Sequence, residues 1–295
     1  MKSIFYTITG LLLFTACGSS DKFDATGTIE ATEITVSAEA VGKILHFDIE
    51  EGDILKTGEY IGIIDTMQLS LSKQQIERNI SSLLTTRPDI QKQIAALNAQ
   101  IDKQEHELNR VNRLLKDGAA TIKQRDDIEA ALEVLHRNLD ATLSTLSKNT
   151  ESLNAQSSSL DIQIAQINDK LQKSRIVSPT NGTVLAKYME AGEFANIGQP
   201  LFKIANLENV FLRAYFTSDQ LADIQLGQEV KVIAQFGDDK ERQYTGKIVH
   251  IASESEFTPK TIQTKDSRAE MVYAVKISVK NDGYLKIGTY GQVML

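Results

Sequence analysis

Few side chains in this sequence are of a type that could carry covalent or metal chemistry, and their spacing decides what they can do. Cys17 is the only cysteine, so an intramolecular disulfide is impossible and its thiol is the one soft nucleophile available. It closes the run Phe14-Thr15-Ala16-Cys17, behind an apolar stretch from Ile4 to Phe14 with Lys2 ahead of it. His46, His106, His136 and His250 are scattered, with no cysteine partners and no ligand spacing for zinc. Met67, Met189, Met271 and Met294 are equally dispersed and do not form the cluster that copper handling needs. A glycine-rich phosphate loop with a following lysine is missing as well, which leaves no ATP site of that kind. These residues predict a chain that is not an enzyme and carries no cofactor or metal.

The chain has 295 residues and a net charge of -7, with 6% aromatics, no tryptophan and no basic cluster. That balance excludes nucleic-acid binding through a phosphate-neutralising face. Residues 1–17 read as a processing segment: the apolar stretch is about half the ~20 residues that a helix needs to cross a bilayer core. The small residues before Cys17 resemble a bacterial lipoprotein signal, with Phe14 standing where leucine is usual. The resemblance implies that Cys17 is acylated and becomes the mature N-terminus. Residues 18–26 then form a polar linker from a membrane surface, and the chain is expected in the periplasm, lipid-anchored with the inner membrane favoured.

Behind this leader a short pattern is written twice. Gly42-Lys43-Ile44, Glu50-Glu51-Gly52-Asp53, Gly58 and Ile64 recur in order and without a gap as Gly182-Thr183-Val184, Glu190-Ala191-Gly192-Glu193, Gly198 and Ile204. Glycines at fixed offsets among alternating apolar residues describe one β-unit split in two. Between the copies the period changes to alternating steps of four and three, from Leu69 through Ile76, Leu83, Ile90, Leu97, Leu108 and Val111 to Leu115. The same seam returns from Ile128 through Leu135, Leu146, Leu153 and Ile164 to Leu171, with a stutter between Leu139 and Leu143. Thr150 and Ser157 weaken its middle. Pro88 is expected to interrupt the outgoing arm, with Thr85-Thr86 as candidate caps for the restart. Gly118 ends that arm, and Thr121 with Gln124 forms a capping box that starts the return. At 1.5 Å per residue, arms of about fifty residues reach roughly 75 Å. Residues 207–295 alternate again and predict an antiparallel barrel or sandwich, with a helix signal from Ser218 to Ile224 and a polar excursion over 253–270. The fold class is thus α+β: a split β-module over 27–65 and 175–206, a coiled-coil hairpin over 66–174, and a β-barrel over 207–295.

In this order the residues resemble the HlyD-type periplasmic adaptors, or membrane fusion proteins. Gly27-Thr28-Ile29-Glu30-Ala31 with Val41-Gly42-Lys43-Ile44 resembles that family's opening. Glu51 to Gly58 with Ile63-Ile64-Asp65 resembles its first lipoyl-like half, and Ile176 to Val184 the second. The resemblance implies a subunit that links an inner-membrane transporter to an outer-membrane channel, working as a ring-forming homo-oligomer, possibly a hexamer. It also implies a tip motif that meets the channel, matched by Arg110, Leu114 and Thr121, with Thr121 replacing a serine and Asp126 at a further matching position. Leu114 flanks the seam and is expected to be partly exposed beside the turn. Glu256 to Lys265 with Arg268 resembles a loop of adaptors that serve ABC-type permeases, and the sequence stops at Leu295 after the barrel, which tilts the partner toward an ABC transporter. Lipoyl and biotinyl carriers share the split unit but present a lysine between the halves; here Asp65 is followed by Thr66-Met67-Gln68-Leu69. A non-conducting periplasmic tether is the alternative function, with a carrier module a remote one.

Overall fold

The computed structural model describes residues 23–236, 240–257 and 271–295. Cys17, the leader and residues 258–270 lie outside them. In chain order the described elements are β1 (Ala25–Glu30), β2 (Glu33–Ser37), β3 (Gly42–Phe47), β4 (Ile54–Leu55) and β5 (Tyr60–Ile64), then α1 (Met67–Thr85), α2 (Ile90–Lys116) and α3 (Ile122–Lys173). β6 (Arg175–Val177), β7 (Gly182–Lys187), β8 (Phe194–Ala195) and β9 (Pro200–Ala205) follow. β10 (Asn209–Thr217), β11 (Glu229–Gln235), β12 (Glu241–Phe257), β13 (Met271–Lys280) and β14 (Tyr290–Met294) complete the order.

The duplicated pattern builds two four-stranded sheets, β2-β9-β7-β4 and β6-β5-β3-β8, each drawing strands from both halves. Between them lie Ile44, Phe47, Ile49, Ile64, Val184, Phe202 and Ile204, each aliphatic side chain contributing about 1.5–3 kcal/mol by leaving water. The halves exchange matching hydrogen bonds. Gly52 N–H donates to Val184 O at 2.9 Å and Gly192 N–H to Ile44 O at 2.8 Å. Gly58 N–H donates to Ser178 O and Gly198 N–H to Ala38 O, both at 2.8 Å. Gly52 and Gly192 both have φ near +98°, a left-handed conformation that costs other residues energy. These four turn glycines are therefore each bonded to backbone of the other copy, so the two halves complete each other's hydrogen bonding.

At Asp65 the module opens into the hairpin. The Asp65 N–H donates to Lys43 O at 2.8 Å, and its carboxylate accepts from Met67 N at 2.9 Å as α1 begins. The outgoing arm is broken between Thr85 and Ile90, as Pro88 requires. The cap of the restarted helix is Asp89, whose side chain accepts from Lys92 N. Thr85 and Thr86 do not cap it: their hydroxyls turn back to Ser82 O and Leu83 O at 2.7 Å, closing the helix behind them. α3 runs unbroken for 52 residues. Every seam position outside the break is at least half-buried, with Ile101, Val111 and Leu146 fully so, while Arg87 in the break is exposed. Two helices alone cannot cover a seam completely, hence the intermediate exposure of its leucines.

The last part closes into a six-stranded barrel in the order β1-β10-β13-β12-β11-β14, filled by Ile29, Leu212, Phe216, Val232, Ile248, Ile277 and Val293 among others. β1 corrects a boundary read from the sequence. Residues 27–30, placed in the split module, and Ala25-Thr26, placed in the linker, form a barrel strand: Gly27 sits opposite Ala214 and Gly291. Alternation shows that a strand exists but not which sheet takes it, and here the long-range register with β10 and β14 decides. The Ser218–Ile224 helix signal reduces to a single 3-10 turn at Gln220–Asp223. Within the expected polar excursion, residues 253–257 belong to β12, and Phe257 pairs with Met271.

Candidate functional site at the hairpin tip

Two caps set back to back build the tip. At the end of α2, Ala119 N–H donates to Leu114 O at 2.8 Å and Gly118 N–H to Leu115 O at 3.1 Å, the paired bonds of a Schellman cap. Gly118 holds φ +71° with nothing within 4 Å of a built Cβ, so glycine is needed there for backbone conformation, not for space. α3 then starts on the expected capping box. Gln124 N donates to the Thr121 hydroxyl at 3.2 Å, and Thr121 N donates to the Gln124 carboxamide oxygen at 2.8 Å. Both helix ends are thereby satisfied at the far end of a long lever, without help from any other part of the described chain.

Leu114 and Thr121 stand on the two sides of this turn, Leu114 half-buried as expected and Thr121 exposed. Arg110 lies a turn lower on the exposed face of α2, and its Nε donates to Glu107 at 2.9 Å. That hydrogen bond, reinforced by the opposite charges, lowers the Glu107 carboxyl below its ordinary range and raises Arg110. Asp126 accepts from Arg125 Nε at 3.0 Å. The tip carries one large apolar side chain that the sequence reading missed. Ile122 is 64% exposed at the first helical position of α3. Its signal was available: it falls outside the return seam, which begins at Ile128, so the two-helix packing has no use for it. The tip thus carries half-buried Leu114 and exposed Ile122, with the Glu107–Arg110 and Arg125–Asp126 ion pairs on the helices that hold them.

Away from the tip, several of the polar groups bond within the fold. His46 makes a 2.9 Å hydrogen bond with the Tyr60 hydroxyl, and its Nδ1 lies 3.2 Å from the Asp48 carboxylate. Glu256, in the segment that resembled a loop of ABC-type adaptors, holds Arg213 at 3.0 Å on the barrel wall; residues 258–270 of that segment are outside the described ones. Among the described residues, no group of three or more His, Cys, Asp or Glu could hold a metal ion. No described helix is long and apolar enough to cross a membrane.

No family model matches the chain. Curated relatives include the UPF0194 membrane protein YbhG of Salmonella arizonae, 27% identical over 274 residues (86% of this chain, 82% of the relative). Another is the UPF0194 membrane protein YE2891 of Yersinia enterocolitica, 24% identical over 277 residues (86% and 83%). Among solved structures, MacA from Actinobacillus actinomycetemcomitans matches with TM-score 0.52 and 22% identity, covering 91% of this chain and 76% of that one. The membrane fusion protein Spr0693 from Streptococcus pneumoniae R6 matches with TM-score 0.50 and 18% identity, covering 91% and 95%. The fold of this chain is that of the membrane fusion proteins, as the order of its motifs implied.

Proposed function

We propose that this chain is a periplasmic adaptor of a bacterial efflux or secretion system, lipid-anchored through Cys17 and joining an inner-membrane transporter to an outer-membrane channel. The observation that carries this reading is the hairpin itself. A 52-residue helix measures roughly 78 Å, packs only along a two-helix seam, and ends in a rigid double cap that leaves Leu114 and Ile122 at its extremity. A chain that folds around its own core has no use for such reach, whereas a bridging subunit does.

Arg110, Leu114 and Thr121 are the proposed channel-docking residues, and Ile122 joins them. The transporter is of the ABC type on the resemblance around Glu256. Self-association into a ring is supported by the edge strands β4 and β8 of the module, where Ile54 and Phe194 are exposed, and by Ile197 in the turn after β8, also exposed. The test is in-cell crosslinking from positions 110–122 and, separately, from the barrel. Capture of an outer-membrane channel from the tip and of a permease from the barrel is expected. Capture of a permease alone would favour a tether with no channel at its tip.

A further inference from the structure

We propose that the end of the barrel from which the N-terminal segment leaves rests on the lipid bilayer itself, through Leu226, Phe257, Met271 and Leu295; this builds on Cys17 as the anchor. That end is well defined. Asp24 N–H donates to Val293 O at 2.9 Å, and Leu295 N–H donates to the Asp24 carboxylate at 2.8 Å. Thr217, the last residue of β10, lies opposite Val272, and Met271 and Phe257 form the next pair beyond it. The 3-10 turn at Gln220–Asp223 and the following turn through Leu226 run from β10 to β11 across the same end. Leu221 and Ile224 of this crossing pack onto the core cluster.

The barrel is thus already plugged, yet Leu226, Phe257, Met271 and Leu295 remain 69%, 73%, 49% and 47% exposed. Their apolar surface has no use within the fold. The occupant follows from the chain's length. Fully extended, the residues from Cys17 to Asp24 span at most about 25 Å, so an anchor on Cys17 keeps this end within that distance of the membrane. A tether that short supplies an effective concentration in the millimolar range, so individually weak apolar contacts are enough for docking. Asp219, Asp223 and Glu229 stand at the same end, which fits a zwitterionic surface better than an anionic one.

The chain has one cysteine and no tryptophan, which makes the test clean. The mature chain beginning at Cys17 is coupled through its thiol to maleimide-bearing lipid in phosphatidylcholine vesicles, with a single tryptophan introduced as L226W, F257W or, at the hairpin tip, I122W. Circular dichroism of each variant checks that the fold is kept. The expected result is a blue-shifted emission for L226W and F257W, quenched several-fold by brominated phosphatidylcholine, with I122W unchanged and the quenching weakened by phosphatidylglycerol. Unquenched L226W and F257W on coupled vesicles would overturn the proposal; a blue shift that appears only once a permease is reconstituted, still without quenching by brominated lipid, would show a protein-docking surface instead. Chemical coupling replaces acylation in this experiment. The mass of Cys17 in chain extracted from native membranes therefore tests the anchor separately, and either reading can fail without the other.

Discussion

Leu114 and Ile122 differ from the other large apolar residues of the hairpin in what they are left to do. The seam leucines face a partner helix, whereas Ile122 faces none and Leu114 is only half covered. Leu114→Asp or Ile122→Asp is expected to abolish complementation of a null strain while leaving helix content by circular dichroism unchanged; retained complementation would remove that side chain from the docking surface. Thr121 has a role independent of any partner. Removing its capping oxygen in Thr121→Ala should cost about 1 kcal/mol, read as a lower thermal midpoint, and Thr121→Ser should restore it. If the serine variant restores stability but not export, the methyl group of Thr121 meets the channel. At the module, Lys187 has a side chain only 9% exposed and lies 2.7 Å from Glu190 and 3.7 Å from Glu50. The hydrogen bond to Glu190 and both negative charges raise its pKa. A raised lysine stabilises the fold fully below its ordinary value of about 10.4, and the contribution fades as pH rises through the elevated one. The midpoint difference between the native chain and Lys187→Met should therefore be constant from neutral pH to about pH 10 and shrink above it.

At the scale of elements, the hairpin was the most legible part, because a seam of alternating three- and four-residue steps constrains one interaction at many positions at once. Counted from the turn, Val111 falls level with Ile128, Leu108 with Leu132 and Leu83 with Ser157. By the same spacing the break between Thr85 and Ile90 falls level with residues 151–154, between the polar seam positions Ser157 and Thr150; the Thr150 hydroxyl bonds back to Leu146 O at 2.9 Å. The restart at Asp89 was misread because threonine and aspartate are both good caps, and the choice depends on where helical geometry resumes after Pro88. β1 was misplaced for a different reason. Its pattern is correct, but sheet membership is a long-range property that a local window does not contain. The close approach at Gly27 follows from that membership, since a Cβ there would stand 2.0 Å from Arg213 O. Gly27→Val should accordingly disrupt the barrel, seen as proteolysis within 207–295, while the helical signal of the hairpin persists. Undisturbed barrel resistance would show that β1 is dispensable for closure.

For the whole molecule, the two cores and the lever make separable demands. The barrel and the module each close around their own buried cluster, whereas the hairpin buries only Ile101, Val111 and Leu146 fully among its described helical residues. Its sequence is thus held less by stability than by length and register. That distinguishes a bridge from a tether. Removing residues 94–100 and 140–146 together deletes one heptad from each arm at matching heights, keeps the remaining seam in phase, and leaves the tip caps and both cores untouched. The lever shortens by about 10 Å. A flexible tether absorbs such a change, because its linker can extend; a rigid bridge between two membranes loses contact at one end. The shortened chain is expected to fold with nearly native stability and to lose both complementation and tip crosslinking, while its barrel still captures the permease. Full complementation by the shortened chain would mean that the distance set by the hairpin is not what the protein is for.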